Sequence, residues 1–152
     1  MRALRRNWEH APATNSLEGG ETALLDALEP VVGAHALIIG PCGLEAMCGL
    51  LRRGCVAATE MALLDRPLAE PAEIAVVASV GTLASAARAV ALAWQMLIPG
   101  GRIALRDPSG LLGRRLATLL HMQGFSAVRT RVLADGVVLS ADRPFFHPIA
   151  RA

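Results

Sequence analysis

The chain contains no lysine and no tyrosine, so all 15 of its basic residues are arginine. Without lysine it cannot form the Schiff base on which pyridoxal phosphate enzymes and lysine-dependent aldolases rely. It also cannot supply the lysine of the phosphate-binding loop that many nucleotide-hydrolysing proteins share. Composition alone therefore excludes these classes of enzyme.

Charge and aromatic side chains are also scarce. The formal net charge is +2, the arginines are dispersed along the chain, and only 3% of the residues are aromatic. A protein that binds nucleic acid usually carries a clustered basic surface, often with aromatic side chains on which bases stack. We therefore expect no nucleic-acid partner.

The three cysteines, Cys42, Cys48 and Cys55, have spacings that fit neither a zinc knuckle nor a disulfide framework. They are expected to be free thiols in a cytoplasmic protein without a metal site. The basic N-terminus lacks the apolar segment of a secretory signal. In the apolar stretch 74–98, the central Arg88 would be costly in lipid, so we expect a strand and a helix there and no membrane span.

A chain of 152 residues that is 53% hydrophobic can bury the core of one domain. Proline, asparagine and glycine interrupt any periodicity in residues 1–19, which predicts a flexible arm before a domain at 20–142. Residues 143–152 are expected to form a tail. The arm and the tail are both candidates for a lid or for contact with a partner protein or a second copy of the chain.

Apolar runs and helical periodicity alternate through the domain. Strands are predicted at 34–39, 55–59, 74–79 and 102–106, and helices at 21–33, 43–53, 83–97 and 111–122. Uninterrupted apolar strands indicate a sheet that is buried on both faces. Asp135-Gly136, between two final apolar segments, predicts a hairpin with a primed turn. The fold class is thus α/β, a doubly wound, mostly parallel sheet of about six strands with a C-terminal antiparallel hairpin.

Residues 97–105 read Leu-Ile-Pro-Gly-Gly-Arg-Ile-Ala-Leu. This segment resembles the turn that class I S-adenosylmethionine-dependent methyltransferases place between a helix and their fifth strand. Gly124-Phe125 and the hairpin after it are similar to the closing strands of that family, the last of which is antiparallel. The resemblance covers residues 21–141. It implies a Rossmann-like methyltransferase fold and S-adenosylmethionine as cofactor. Because no basic or aromatic stacking surface is evident, a small molecule is the expected methyl acceptor.

The sequence departs from the family in two places. The family's first strand leads, through an acidic residue, into a G-x-G-x-G loop. Here Ile38 takes the acidic position, and Cys42 and Leu44 take the second and third glycine positions. Only residues 61–73 lie between Glu60 and the next strand, where the family has a helix, a third strand and another helix. A six-stranded sheet with the order 2-1-4-5-7-6, in the family's strand names, is therefore predicted.

Ligands of open α/β sheets bind at the carboxyl ends of the strands, where the strand order reverses. We expect the cofactor site there, and the resemblance assigns the ribose hydroxyl groups of the cofactor to Glu60. The expected cofactor-binding residues are Gly40, Pro41, Cys42, Gly43, Glu60, Ser79, Val80 and Gly81. The sequence identifies no catalytic residue.

Two other functions remain open. The altered glycine loop and the short connection after Glu60 fit a non-catalytic relative, a pseudoenzyme that keeps the fold as an interaction or regulatory module. A nicotinamide-binding protein could use the same layers. Glu45 argues against it, because a carboxylate in the first turn of a helix competes with a pyrophosphate for the helix N-terminus.

Overall fold

The structure is a computed structural model that describes residues 20–40, 44–63, 66 and 70–145. The strands are β1 (His35–Ile39), β2 (Ala57–Met61), β3 (Ala72–Val77), β4 (Leu97–Asp107), β5 (Ser126–Leu133) and β6 (Gly136–Asp142). The helices are α1 (20–26), α2 (Leu44–Arg52), α3 (Leu83–Met96) and α4 (Gly113–Gln123). The predicted arm and most of the predicted tail lie outside the described residues.

The described strands form one six-stranded sheet with the order β2-β1-β3-β4-β6-β5. The pairs β1 with β2, β1 with β3, and β3 with β4 are parallel, whereas β6 is antiparallel to both of its neighbours. The predicted order, 2-1-4-5-7-6 in the family's strand names, is the same order. The family's third strand is missing here, so each later strand has a number lower by one. The predicted α/β class and the closing antiparallel hairpin are confirmed.

Helices cover both faces of the sheet. On one face, α3 and α4 pack on Leu37, Ile39, Ala75, Val77, Ile103 and Leu105. On the other face, α1 and α2 pack on Ile38, Ile74, Val76 and Ala104. Because successive side chains of a strand point to opposite faces, β1, β3 and β4 each contribute to both cores. This explains their uninterrupted apolar sequences.

Helix α1 is shorter than predicted. The spacing of apolar residues predicts a helix up to Gly33, but the helix ends at residue 26. Pro30 has no backbone N–H, and a proline disfavours helical geometry in the residue before it, so the helix cannot run through this segment. Leu28 and Val31 are nevertheless completely buried. These residues are apolar because they are buried, although the segment is not helical. Their helix-like spacing therefore predicted a longer helix than the structure has.

The apolar stretch 74–98 divides into a strand and a helix, as predicted. Helix α3 begins with a capping box, in which the Thr82 hydroxyl accepts from the Ser85 backbone N–H at 3.1 Å and the Ser85 hydroxyl accepts from the Thr82 N–H at 3.2 Å. These bonds satisfy N–H groups that a helix N-terminus otherwise leaves unpaired. Within the described ranges, no helix is both long and apolar enough to cross a membrane.

The C-terminal hairpin is confirmed, but its turn differs from the prediction. Leu133 pairs with Gly136, so the two loop residues are Ala134 and Asp135. The positive φ angle is on Gly136, at 143°, and not on Asp135. A Cβ atom on Gly136 would lie 2.4 Å from the backbone oxygen of Asp107, so glycine is also needed for a close approach of two backbones.

Strand β4 ends in a buried carboxylate that organises the turn into α4. Asp107 is 0% exposed, and its carboxylate accepts hydrogen bonds from the Ser109 hydroxyl at 2.7 Å, the Ser109 N–H at 3.0 Å and the Leu112 N–H at 2.9 Å. Burial alone would raise the pKa of Asp107. The hydrogen bonds outweigh burial, so the pKa of this carboxyl lies below its ordinary value.

We expect Asp107→Asn to lower the free energy of unfolding at pH 7 by about 2 kcal/mol or more, because hydrogen bonds to charged groups contribute about 1.5–3 kcal/mol. Since the pKa is lowered in the folded state, this stabilisation is complete above the unfolded pKa of about 3.9 and is lost as the pH falls through the folded value. Urea unfolding of both proteins at neutral and acidic pH measures the difference.

The control for this prediction is Asp142→Asn, because the Asp142 carboxylate is 39% exposed and lies 4.0 Å from Arg129. We expect little loss of stability there. An Asp107→Asn protein that is as stable as wild type, or that shows the same deficit in acid as at pH 7, would contradict the role given to this carboxylate.

Candidate functional site

The strand order reverses between β1 and β3, and the loops after these two strands are tied to their neighbours. The backbone N–H of Gly40, directly after β1, donates to the oxygen of Met61 at 2.8 Å. The N–H of Val80, in the loop after β3, donates to the oxygen of Arg106, also at 2.8 Å. These two bonds hold the loops at the carboxyl edge of the sheet, where ligands of such folds bind.

A cavity of about 330 Å³ lies at this edge, on the face that α3 covers, and we call it the glycine cavity. Its lining residues are Ile39, Gly40, Leu63, Val77, Ser79, Val80, Gly81, Ser85, Ala86 and Ala89. The structure thus brings together four of the predicted cofactor-binding residues, namely Gly40, Ser79, Val80 and Gly81. The volume is within the usual range of about 300–1,000 Å³ for small-molecule sites.

Two glycines leave open space in the wall of this cavity. Gly40 has a φ angle of 96°, which favours glycine, and an added Cβ atom would meet no described residue within 4 Å. A Cβ atom on Gly81 would also meet nothing within 4 Å in the part of the chain that the structure describes, although its backbone needs no glycine. A ligand can therefore approach the backbone at both positions.

The other predicted site residues are placed differently. Pro41, Cys42 and Gly43 lie outside the described residues. Glu60 is exposed near the end of β2, where it pairs with Ile38. Directly paired residues point to the same face of a sheet, and Ile38 belongs to the core under α1 and α2. Glu60 therefore lies on the face opposite to the glycine cavity and does not line it.

A second cavity of about 330 Å³ opens on the face that α1 and α2 cover, and we call it the glutamate cavity. It is lined by Glu21, Leu24, Glu45, Ala46, Ala78, Ser79, Arg106 and Pro108. Ser79 lines both cavities, so the segment after β3 separates them. This cavity was not predictable from the sequence patterns described above.

Two glutamate side chains line the glutamate cavity, and one of them has a shifted pKa. Burial, a hydrogen bond with the side chain of Glu45 and the charge of Glu45 together raise the pKa of Glu21. Arg106 and Arg52 act in the opposite direction and do not reverse the shift.

Arg106 joins three parts of the chain beside this pair. Its side chain is 12% exposed, and Nη2 donates to Asp135 Oδ2 in the hairpin loop at 3.1 Å. A Cβ atom on Gly20 would lie only 2.5 Å from the guanidinium group, so the N-terminal end of the described chain lies directly against it. The buried Nε of Arg106 has no hydrogen-bond partner in the described structure.

One sequence signal could have indicated the glutamate cavity. Arg106 directly follows Ile103, Ala104 and Leu105, all of which are completely buried. A charged residue that continues a completely buried strand needs a polar partner, because an unpaired charge is costly to bury. The signal does not identify Glu21, Glu45 or Asp135 as its neighbours.

No model of a known sequence family matches the chain, and no curated protein matches it by sequence. Solved structures do match its fold. The ribosomal protein L11 methylase from Lactobacillus delbrueckii subsp. bulgaricus has a TM-score of 0.69 at 8% identity, over 83% of this chain and 79% of that protein. An O-methyltransferase family protein from Burkholderia thailandensis has a TM-score of 0.63 at 12% identity, over 84% of this chain and 57% of that one.

Human N-acetylserotonin methyltransferase in complex with S-adenosylmethionine has a TM-score of 0.61 at 16% identity, over 82% of this chain and 52% of that protein. The chain has the class I methyltransferase fold. It spans just over half the length of the Burkholderia and human proteins. This version of the fold is shortened after β2. The described residues between β2 and β3 contain no strand.

The ion pair of Arg106 with Asp135 should be stronger than a surface pair. We expect a double-mutant cycle with Arg106→Met and Asp135→Asn to give a coupling of about 1–2 kcal/mol, since exposed pairs give about 0.2–1 kcal/mol. The Asp135 side chain keeps 35% exposure, which limits the value. Urea unfolding of the four proteins provides the measurement.

The matched cycle uses Arg129 and Asp142, whose side chains are 71% and 39% exposed and lie 4.0 Å apart. We expect its coupling at or below the lower end of the range for exposed pairs. Equal couplings in the two cycles would show that burial of Arg106 does not strengthen its ion pair.

Proposed function

We propose that the chain binds S-adenosylmethionine at the carboxyl edge of its sheet and transfers the methyl group to a small molecule. The observation that carries this proposal is the glycine cavity, where Gly40 and Gly81 leave open space at the point of strand reversal. The human neighbour, solved in complex with S-adenosylmethionine, supports the choice of cofactor.

The residues present fit such a ligand. Open space at Gly40 and Gly81 lets a flat ligand lie against the backbone, Ser79 offers a hydroxyl group, and Val80 offers an apolar contact. We assign the ribose hydroxyl groups to the carboxylate of Glu60. Because Glu60 lies on the other face of the sheet, the ligand would extend from the glycine cavity past the carboxyl end of β2 to reach it. The bound sulfonium supplies an electrophilic methyl group, and the contribution of the chain is to position it and to exclude water.

One observation favours a second candidate, the non-catalytic interaction module. Ile38 is 0% exposed and is part of the core at the position where the resemblance implies an acidic residue. β1 therefore brings no acidic side chain to the site. A protein of this kind would keep the fold without the cofactor.

Isothermal titration with S-adenosylhomocysteine tests the proposal. We expect saturable binding by wild type and at least tenfold weaker binding by Gly81→Leu, since a leucine side chain would fill the open space beside Gly81. Gly113→Ala is the control, because its Cβ atom would make an ordinary contact with Val137 at 3.6 Å. At 100 times the dissociation constant, the ligand should stabilise the fold by about 2.7 kcal/mol.

Absence of both heat and thermal stabilisation in folded wild-type protein would contradict the proposal and favour the interaction module. Equal binding by wild type and Gly81→Leu would place the ligand outside the glycine cavity.

The same titration tests the assignment of Glu60. We expect Glu60→Gln to weaken binding by about tenfold or more, because a hydrogen bond to a charged group contributes about 1.5–3 kcal/mol. Glu70→Gln is the matched control, since Glu70 is also an exposed glutamate but lies outside β2. If Glu60→Gln binds as tightly as wild type, Glu60 does not hold the ribose.

A further inference from the structure

We propose that a groove between α3 and α4 is a docking surface for an acidic amphipathic helix of a partner protein. The groove has a volume of about 290 Å³, and we call it the arginine groove. Its lining residues are Leu83 of α3 and Arg114, Arg115, Thr118, Leu119 and Met122 of α4. Among the described residues it shares none with the glycine cavity or the glutamate cavity, so the inference goes beyond the proposed function and does not depend on it.

The arginine groove has an apolar floor and an exposed rim. Leu83 and Leu119 are half-buried and pack against the core beneath α3 and α4. Met122 at the rim is 81% exposed. The Thr118 hydroxyl donates to the backbone oxygen of Arg114 at 3.1 Å, so this donor is already used within the helix. The groove therefore offers apolar contacts on its floor and the charge of its arginines at its rim.

The exposure of the arginine groove indicates a protein segment as its occupant. Four of the six lining residues, all of them on α4, are exposed. Small-molecule sites usually enclose about 70–90% of the ligand surface, and so open a groove does not. Leu119 and Met122 are three residues apart and so lie on one face of α4. An amphipathic helix that repeats apolar side chains at the same spacing can place them between α3 and α4.

The two helices beside the groove carry arginine but no acidic residue. Their sequences contain Arg88, Arg114 and Arg115, and no aspartate or glutamate. None of these three arginines forms an ion pair with a described residue, whereas Arg53 and Arg106 each pair with a carboxylate. Complementary charge across an interface favours the correct partner. Acidic side chains on the flanks of a docked helix would supply that complement at Arg114 and Arg115.

The first turn of α4 also favours an acidic partner. Arg114 and Arg115 lie in this turn, which has no acidic residue, and the N-cap residue Leu112 makes no side-chain hydrogen bond. A helix N-terminus has a partial positive charge, so cations are unfavourable there and anions are favourable. Asp107, the acidic residue nearest to α4 in sequence, is 0% exposed, and its carboxylate already accepts three hydrogen bonds. A carboxylate of the partner would offset the positive charge that remains.

Fluorescence anisotropy with labelled peptides tests the inference on the full chain. The probe is a designed helical peptide of about 18 residues, with leucine every three or four residues on one face and glutamate on both flanks of that face. One control peptide has lysine in place of each glutamate, and the other has glutamine in place of each leucine. We expect the acidic peptide to bind at least about tenfold more tightly than either control, and its affinity to fall as salt is added.

Charge reversal locates the binding. We expect Arg114→Glu with Arg115→Glu to weaken binding of the acidic peptide at least about tenfold and to bind the lysine peptide instead. Glutamate in the first turn of α4 is favourable for the helix, so this double variant should fold. Arg88→Glu is the matched control, since Arg88 is also an exposed helical arginine but does not line the groove. It should change the affinity by less than about threefold.

The apolar contact is tested by a second pair of variants. We expect Met122→Gln to weaken binding of the acidic peptide by about fivefold or more, because it removes apolar surface from the interface. Val132→Gln is the control, because Val132 of β5 is similarly exposed, at 78%, but lies outside the groove. It should bind the peptide like wild type.

The inference is overturned if the acidic peptide binds no more tightly than the controls, or if the double variant keeps full affinity for it. An equal loss in Arg88→Glu would also overturn it, because binding would then depend on net charge and not on the groove.

Two other occupants are tested with the same proteins. A wild-type dimer in analytical ultracentrifugation that dissociates in Met122→Gln would assign the groove to a second copy of the chain. Binding to vesicles that contain phosphatidylserine, lost in the double variant and not accompanied by binding of the acidic peptide, would assign it to a membrane surface. Either result refutes docking of a partner helix.

Discussion

The burial of β1, β3 and β4 on both faces is the constraint on which the rest of the structure depends. Ile38, Ile74 and Val76 face one core, while Leu37 and the other alternate residues of these strands face the second core. A sheet that is apolar on both faces must be covered by helices on both faces, and parallel neighbours then require crossover connections. These connections bring the carboxyl ends of the strands to one edge, where both cavities lie.

The same alternation places two charged side chains on opposite faces of the sheet at the end of β4. Arg106 and Asp107 are neighbours in sequence, and neighbouring residues of a strand point to opposite faces. Arg106 reaches the glutamate cavity and the hairpin loop, whereas the carboxylate of Asp107 orders the turn into α4. The end of β4 therefore holds the hairpin loop and the turn into α4 in place. Both charges can be buried there because each has polar partners, which reduce the free-energy cost of burial.

Much of the fold was predictable because it depends on local patterns. Continuous apolar runs identified the buried strands. The resemblance to the methyltransferase family, compared with the short segment 61–73, supplied the missing strand and the strand order. Prediction of the backbone failed where it depends on more than the local apolar pattern. Helix α1 ends before Pro30 although the apolar spacing continues. The hairpin has its positive φ angle on Gly136 and not on Asp135, and Gly136 lies directly against the backbone of Asp107. Spacing reports which residues are buried, but not the backbone path that buries them.

The candidate site was also predictable from the sequence only in part. Gly40, Ser79, Val80 and Gly81 were predictable because they follow strands that the sequence identifies. The contact of Glu21 with Glu45 was not, because it depends on how α1 packs beside α2 on the sheet. The sequence indicated a role for Glu45 only through its place in the first turn of a helix.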